Sequence, residues 1–372
     1  MNETAAADGI AVTLSVAGGR VAEVAITARP ASGVGRYAKG KPADEVARAL
    51  PRIFGLCAMA QGAAVSAAIA AARGVALAPQ QIAAQVGTVA AERLLELLRG
   101  TATVLAGPDL GGTAPALRAL SAAVRSFDAM APGDSAAPEA VLVEIERSLD
   151  ALGLYAQCFD DAASYQRWAA SDAPLAQLLR PLLANDAGFG ALALDALSAA
   201  DDPAIADELA QAGAAFAARP TLAGRLPETG ALSRTRTHPL LVSRPATLHS
   251  RLLARLIEAR QTPALLRGLA EGADSSELIT ATPLAPGIGF AAVECARGRL
   301  HHWIALDGHE RIARLEILAP TEWNFHPEGP LARALVGAPA KDDADRRRIE
   351  HLIAAFDPCV GLAVQFAELA DA

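Results

Sequence analysis

The middle of the chain, roughly residues 43 to 260, consists mostly of alanine- and leucine-rich segments with helical spacing. Leu94, Leu95, Leu97 and Leu98 recur at i, i+1, i+3 and i+4, which places one apolar stripe along a helix. Aromatic residues make up only 4% of the chain, although hydrophobic residues make up 52%. Small apolar side chains at helical spacing predict closely packed helices and disfavour a β-sandwich.

Two short β units flank this helical middle, and helix is predicted again towards the C-terminus. The predicted strands are Gly9–Val16, Val21–Ala28, Gly287–Ala296, His302–Leu306 and Ile312–Leu318. The predicted helices are Ala43–Leu50, Ala58–Arg73, Pro79–Arg99, Ala114–Ala129, Pro138–Phe159, Pro174–Ala184, Pro203–Ala217, Pro245–Arg260, Pro330–Val336 and Ala344–Phe356. The order predicts an α+β fold with a mostly helical core, organised as a single domain over residues 1–372.

Composition excludes several classes of partner. The formal net charge of the 372 residues is −8, which offers no electrostatic footprint for nucleic acid or an anionic membrane. The N-terminal residues lack the basic and apolar regions of a signal peptide, and the apolar run 56–78 is interrupted by polar residues. We therefore expect a cytoplasmic protein.

The four cysteines show no CxxC spacing, so no local zinc site is expected.

Two of the cysteines stand where a thiolate could form. Cys57 follows Gly55 by two residues and opens an apolar helix, so the helix dipole is expected to stabilise its thiolate, the metal-binding form. Cys359 follows Pro358 and is likewise expected near a helix start. Taken singly, a cysteine in either position is more often a small buried residue with a structural role.

Two further segments could supply hydrogen-bond donors. Arg297 precedes Gly298 at the end of a predicted strand, a position from which a guanidinium can reach into a cleft. Thr321 belongs to the segment Pro320-Thr321-Glu322-Trp323-Asn324, which could also be a packed loop. Cys158 and Cys295 are interpreted as structural. A nickel-storing role for His301, His302 and His309 is left open.

In their order along the chain, these segments resemble the large subunit of nickel–iron hydrogenases. That family carries Arg-x-Cys-Gly-x-Cys-x-x-x-His near its start, which residues 52–61 match in part. Its final Asp-Pro-Cys-x-x-Cys-x-x-His is matched in part by residues 357–365. Its Glu-x-x-Arg-Gly and Pro-Thr/Ser-x-Trp-Asn segments correspond to 294–298 and 320–324. The resemblance implies the large-subunit fold, with a site formed between segments 52–61 and 294–365.

The departures from the family pattern bear directly on function. The family's first Cys, first His, last Cys and last His are replaced by Phe54, Gln61, Leu362 and Gln365. Four thiolates hold nickel and iron in the family, and only Cys57 and Cys359 remain here, so the soft nickel site cannot form. The early Arg-Ile-Glu-Gly stretch with its proton-transferring Glu is also missing, because this chain has Asp8-Gly9-Ile10. We therefore expect neither nickel nor hydrogen turnover.

This degenerate pattern resembles the hydrogenase accessory proteins of the HupK/HoxV type. The resemblance implies a non-catalytic maturation factor that scaffolds iron carrying cyanide and carbonyl, Fe(CN)2CO, before transfer to the hydrogenase large subunit. Cys57 and Cys359 would be the metal ligands, and Arg297 and Thr321 would donate hydrogen bonds to the cyanide nitrogens. HypC- and HypD-like maturation chaperones would be partners.

A second interpretation stays open from the sequence. Phe54, Leu362 and the two glutamine replacements favour a cofactor-free mimic of the large subunit that only binds maturation chaperones. Arg297, Thr321 and the two matching cysteines favour contact with the iron group.

Overall fold

The structure is a computed structural model, and it describes residues 9–27, 33–128, 139–183 and 188–369. The helices are α1 (Val34–Ala38), α2 (Ala43–Ile53), α3 (Ala58–Ala72), α4 (Pro79–Ala106), α5 (Ala114–Asp128), α6 (Glu139–Ala151), α7 (Ala162–Ala170), α8 (Pro174–Leu183), α9 (Asp202–Gln211), α10 (Ala214–Ala218), α11 (Ala231–Thr235), α12 (Leu248–Ala270), α13 (Pro320–Asn324), α14 (Pro330–Leu335) and α15 (Asp343–Ala355). The strands are β1 (Ile10–Ala17), β2 (Arg20–Thr27), β3 (Ile279–Ala285), β4 (Ile288–Cys295), β5 (Gly298–Leu306), β6 (Ile312–Leu318) and β7 (Leu362–Glu368).

Two small sheets border a helical core. One sheet has the order β2-β1-β7, and the other is an antiparallel sheet of order β3-β4-β5-β6. The long helices α4 and α12 pack against each other. One buried apolar cluster includes Val12 of the first sheet, Leu94 and Leu252 of these helices, and Val293 of the second sheet. The predicted α+β fold with a mostly helical core is confirmed.

The alanine-rich helix α3 packs unusually closely against the second sheet. It lies directly on β4, where a Cβ atom at Gly289 would stand 2.1 Å from the carbonyl oxygen of Ala68. Glycine on the strand and alanine on the helix therefore allow a backbone-to-backbone approach that larger residues would prevent. Ala60, Ala64 and Ala67 are fully buried, so the prediction of closely packed helices holds here.

The β units differ from the prediction in two places. The N-terminal hairpin is present, but β3 was missed because it is an edge strand, contains Pro283 and is mostly exposed. The chain also does not close on a helix: β7 follows α15 and pairs in parallel with β1, with Val364 opposite Val12. Its seven residues are partly or fully exposed, which leaves little alternation of apolar and polar residues to detect.

Several predicted helices have different bounds. The helix predicted at Pro203–Ala217 is two helices, because Gly213 adopts a positive φ of 56° between α9 and α10. Helix α12 begins later than predicted and continues through Pro263 to Ala270, since buried Leu266 and Leu269 anchor its last turns. Helix α6 ends at Ala151 instead of Phe159. The predicted element ends Ala28, Ala129, Pro138 and Ala184 lie outside the described residues.

A buried ion network joins the second sheet to the helices. It consists of Arg93 (α4), Asp202 (α9), Arg234 (α11), Glu258 (α12), Glu294 (β4) and Arg299 (β5). Arg234 donates to Glu258 at 2.7 Å and to Glu294 at 3.0 Å. Arg299 donates to Glu294 at 3.1 Å and to Asp202 at 2.7 Å. Three positive and three negative side chains therefore balance one another away from water, and they fix the tip of the β4–β5 hairpin.

We expect Arg299→Met to lower the free energy of unfolding by about 3–5 kcal/mol, because it leaves Asp202 and Glu294 buried without their shared partner. Urea denaturation checks this value. Arg147→Met is the control, since Arg147 pairs with Glu144 at the surface and should cost no more than about 1 kcal/mol. Equal losses in the two variants would contradict the role given to the network.

Candidate functional site

The structure brings the four predicted site residues together. Cys57, Arg297, Thr321 and Cys359 line one small cavity of about 20 Å³, which we call the thiol cavity. They come from the start of α3, the β4–β5 turn, the first turn of α13 and the α15–β7 loop. The complete lining is Phe54, Cys57, Gln61, Cys295, Arg297, Leu300, Ile317, Ala319, Pro320, Thr321 and Cys359. The chemical roles predicted for the four residues stay predictions.

Cys57 is the N-cap residue of α3, as the sequence suggested, but another side chain uses the free backbone N–H groups. The carboxylate of Glu92 on α4 accepts hydrogen bonds from the backbone N–H groups of Met59, at 2.8 Å, and Ala60, at 3.2 Å. A carboxylate at a helix N-terminus neutralises the positive end of the helix dipole. The helix start is therefore already capped by a negative charge.

The expected dipole-stabilised thiolate is wrong for this reason and because the half-buried Cys57 is largely shielded from water. Burial raises the pKa of the Cys57 thiol far above its usual range, and the nearby thiols of Cys295 and Cys359 raise it further. Cys57 is therefore a neutral thiol at neutral pH. A metal that binds its sulfur must displace the proton, so binding is coupled to proton release.

Gln61 and His302 form a chain of hydrogen bonds that ends at the sulfur of Cys57. Gln61 Nε2 donates to Cys57 Sγ over 3.9 Å, and Gln61 Oε1 accepts from His302 Nε2 at 2.8 Å. His302 is fully buried, and burial lowers its pKa to about 3, so the ring is neutral. Its N–H holds the glutamine oxygen, which leaves the amide N–H₂ group directed at the sulfur.

Arg297 keeps its charge in the wall of the thiol cavity. Its Nη2 donates to Glu96 at 3.1 Å, its Nη1 donates to the backbone oxygen of Leu56 at 3.3 Å, and Asp357 lies 3.7 Å from its Nε. Burial works against the charge, but Asp357 and Glu96 outweigh it and raise the pKa of the guanidinium above its usual value. A guanidinium has five N–H donors, so donors remain for a further acceptor.

Thr321 and Cys359 lie next to each other in the wall of the thiol cavity. Pro320 starts α13, and the Thr321 hydroxyl donates to Cys359 Sγ at 3.3 Å. Asn324 fixes this helix, since its side-chain amide accepts from the Thr229 N–H at 3.0 Å and donates to the Thr229 oxygen at 2.9 Å. Cys359 lies in a loop before a strand, so the expected helix start at this cysteine is wrong.

The positions that depart from the hydrogenase pattern lie in different parts of the structure. Phe54 lines the thiol cavity, Leu362 begins β7, and Gln365 is exposed on that strand. Ile10 is buried in β1, whereas Asp8 lies outside the described residues. Across the described residues, no group of three or more His, Cys, Asp or Glu side chains could hold a metal ion. Phe54 and Leu362 offer no ligand for the family's four-thiolate site.

Sequence reasoning missed one cysteine of the cavity. Cys295 was interpreted as structural, yet it lines the thiol cavity, and burial raises its pKa to about 11. The available signal was its position at the end of β4, only two residues before Arg297 in the β4–β5 turn. Cys158 is buried outside this cavity, and burial raises its pKa to about 12.

The three histidines do not form one exposed cluster. His301 and His302 are both fully buried, and His301 Nε2 lies 3.2 Å from Asp202. His309 is exposed in the β5–β6 turn. A shared nickel-storing site has no support from these positions.

Comparison with known proteins shows the family to which the chain belongs. The family model "Nickel-dependent hydrogenase" matches residues 242–365. The hydrogenase expression/formation protein HupK of Bradyrhizobium diazoefficiens is 37% identical, covering 96% of this chain and 97% of that protein. The hydrogenase expression/formation protein HoxV of Cupriavidus necator is 32% identical, covering 90% of each. The chain belongs to the HupK/HoxV family.

Solved structures show the fold that this family shares with hydrogenases. The nickel–iron–selenium hydrogenase of D. vulgaris Hildenborough superposes with a TM-score of 0.64 at 16% identity, covering 93% of this chain and 95% of that chain. The likeness establishes a common fold. In the described ranges, no helix has the length and apolar character needed to span a membrane.

We expect His302 to make stability depend on pH. Its pKa is about 3 in the folded chain and about 6.5 when unfolded, so the unfolded chain binds more protons between these values. Stability is full above pH 6.5 and falls as the pH decreases. Between pH 7 and 5.5, wild type should lose about 1 kcal/mol more than His302→Gln in urea denaturation. Parallel losses would show that His302 does not titrate in this way.

Proposed function

We propose that this member of the HupK/HoxV family is a non-catalytic assembly factor, folded as one large-subunit-like domain over residues 1–372. It holds Fe(CN)2CO as cargo before transfer to a hydrogenase large subunit. The observation that supports this function is the shared cavity of Cys57, Cys359, Arg297 and Thr321. Thiolates are soft ligands for iron, and a charged guanidinium with a hydroxyl suits the anionic nitrogens of cyanide.

The arrangement suits a cargo that must leave again. Cys57 matches a hydrogenase cysteine that touches iron, whereas Cys359 matches one that touches only nickel, so Cys57 is the principal anchor. Its thiol is protonated at neutral pH because burial raises its pKa. Loading therefore releases a proton, and reprotonation favours release. Fewer thiolate anchors than in the hydrogenase site hold iron less tightly.

Loading also requires a local movement. The thiol cavity measures about 20 Å³, room for about one water molecule, and each diatomic ligand on iron is larger than that. Phe54 lines the cavity and is only half-buried, so it can swing outwards to admit the cargo. We propose that HypC- and HypD-like chaperones deliver the cargo here, in the cytoplasm.

The narrow cavity favours a second candidate function. A cofactor-free mimic of the large subunit would bind the same chaperones without iron, and it would need neither the space nor the ligands. The absence of a three-ligand metal group among the described residues also fits this candidate. The two functions differ in whether the purified protein carries cyanide and carbonyl.

We expect anaerobically purified wild type to show infrared bands of metal-bound cyanide and carbonyl, where protein does not absorb. Cys57→Ser should abolish these bands and hydrogenase maturation, since a hydroxyl lacks the softness and charge of a thiolate. Arg297→Leu should weaken the bands, because cyanide loses its charged donor.

The matched control is Cys158→Ser, which replaces a buried thiol outside the cavity and should leave the bands and maturation unchanged. If Cys57→Ser matures hydrogenase as well as wild type does, the iron-scaffold function fails. The cofactor-free mimic then takes its place.

We expect the isolated protein to show no hydrogen uptake or evolution and no stoichiometric nickel, because Phe54 and Leu362 supply no ligand. A methyl-viologen assay and elemental analysis measure the two quantities. Hydrogenase activity together with one nickel per chain would refute a non-catalytic role.

A further inference from the structure

A second small cavity lies behind the β4–β5 turn and shares Arg297 with the thiol cavity. Its lining includes Arg255, Arg297, Asn324, Phe356 and Asp357, and we call it the Arg255 cavity. Its volume is about 20 Å³. That is enough for one water molecule and too little for a polyatomic ligand.

Three buried polar atoms of this lining make no hydrogen bond within the described part of the chain. They are Arg255 Nη1, Arg297 Nε and Asp357 Oδ2. Arg255 is 3% exposed, and its other terminal nitrogen donates to the carbonyl oxygens of Ala355, at 2.6 Å, and Ala354. The 3.7 Å between Arg297 Nε and Asp357 Oδ2 is too long for a direct hydrogen bond.

The two unsatisfied donors and one unsatisfied acceptor define what can bind. A buried donor or acceptor without a partner costs about 1–3 kcal/mol, so a ligand that satisfies all three is strongly favoured. An anion would satisfy the two arginines but meet repulsion from the Asp357 carboxylate, and a cation would meet two guanidinium groups. The remaining arginine of the lining, Arg251, already pairs with Glu228 at 2.8 Å. Water alone can accept from both arginines and donate to the carboxylate.

We propose that the Arg255 cavity holds one ordered water molecule, which accepts from Arg255 Nη1 and Arg297 Nε and donates to Asp357 Oδ2. This water links Arg255 on α12 to Arg297 and to Asp357, which lies two residues before Cys359. Asp357 has a positive φ of 54°, which is rare for a residue with a side chain, and the water bond helps to hold it there. The inference does not depend on iron binding.

The direct test is a crystal structure of the wild-type full chain at about 1.5 Å resolution, with a second crystal soaked in bromide. We expect one density peak within about 3.2 Å of all three atoms and no anomalous bromide signal there. Absence of the peak, a bromide signal at its place, or closure of the cavity by a direct hydrogen bond between Arg297 and Asp357 would overturn the proposal.

A second measurement counts long-lived buried waters in solution by oxygen-17 magnetic relaxation dispersion. Arg255→Met should lower the count by one, because the site loses a donor. The control is Arg267→Met on the same helix, where the arginine is partly exposed and paired with Glu146, and the count should not change. An unchanged count in folded Arg255→Met would contradict the proposal, and the wild-type crystal decides if that variant does not fold.

Discussion

The buried ion network around Glu294 is the constraint on which the site depends. Charged side chains are rarely buried unless they are paired, and here helices α4, α9, α11 and α12 each contribute one partner to a hairpin that contributes two. Removing any one charge would leave another unbalanced in a medium of low polarity. The hairpin tip therefore has one stable position. Arg297 sits at that tip and contacts Leu56 and Asp357, which come one and two residues before the cavity residues Cys57 and Cys359.

The same low polarity sets the protonation states in the cavity. Burial disfavours charge on the thiol of Cys57 and outweighs the favourable effect of the nearby Arg297 guanidinium, so the thiol stays neutral. Burial also acts against Arg297, but Glu96 and Asp357 compensate, so the guanidinium stays charged. A neutral thiol beside a charged donor suits the anionic cyanide groups of the proposed cargo. When such a group brings a metal, the thiol can exchange its proton for the metal ion.

The sequence predicted more of the architecture than of the electrostatics. Helical spacing found α3 and α4, and ordered motifs placed Cys57, Arg297, Thr321 and Cys359 on one cavity. Strand β7 was not predicted, because an edge strand with few buried side chains shows no strong alternation of apolar and polar residues. The protonation state of the Cys57 thiol was not predicted for another reason. It depends first on burial and then on Cys295, Cys359 and Glu92, which lie in other segments of the chain, and no spacing within one segment reveals such neighbours.

The hydroxyl of Thr321 bears most directly on the choice between scaffold and mimic. Arg297 has a structural reason to be present, because it pairs with Glu96 and Asp357 whether or not cargo binds. Thr321 is 2% exposed, and its hydroxyl makes one weak contact, to Cys359 Sγ. Replacing two such partners by apolar groups of the same shape is nearly neutral for stability. A mimic that only displays its outer surface gains nothing from this buried pair, whereas a scaffold gains both a metal ligand and a donor to cyanide.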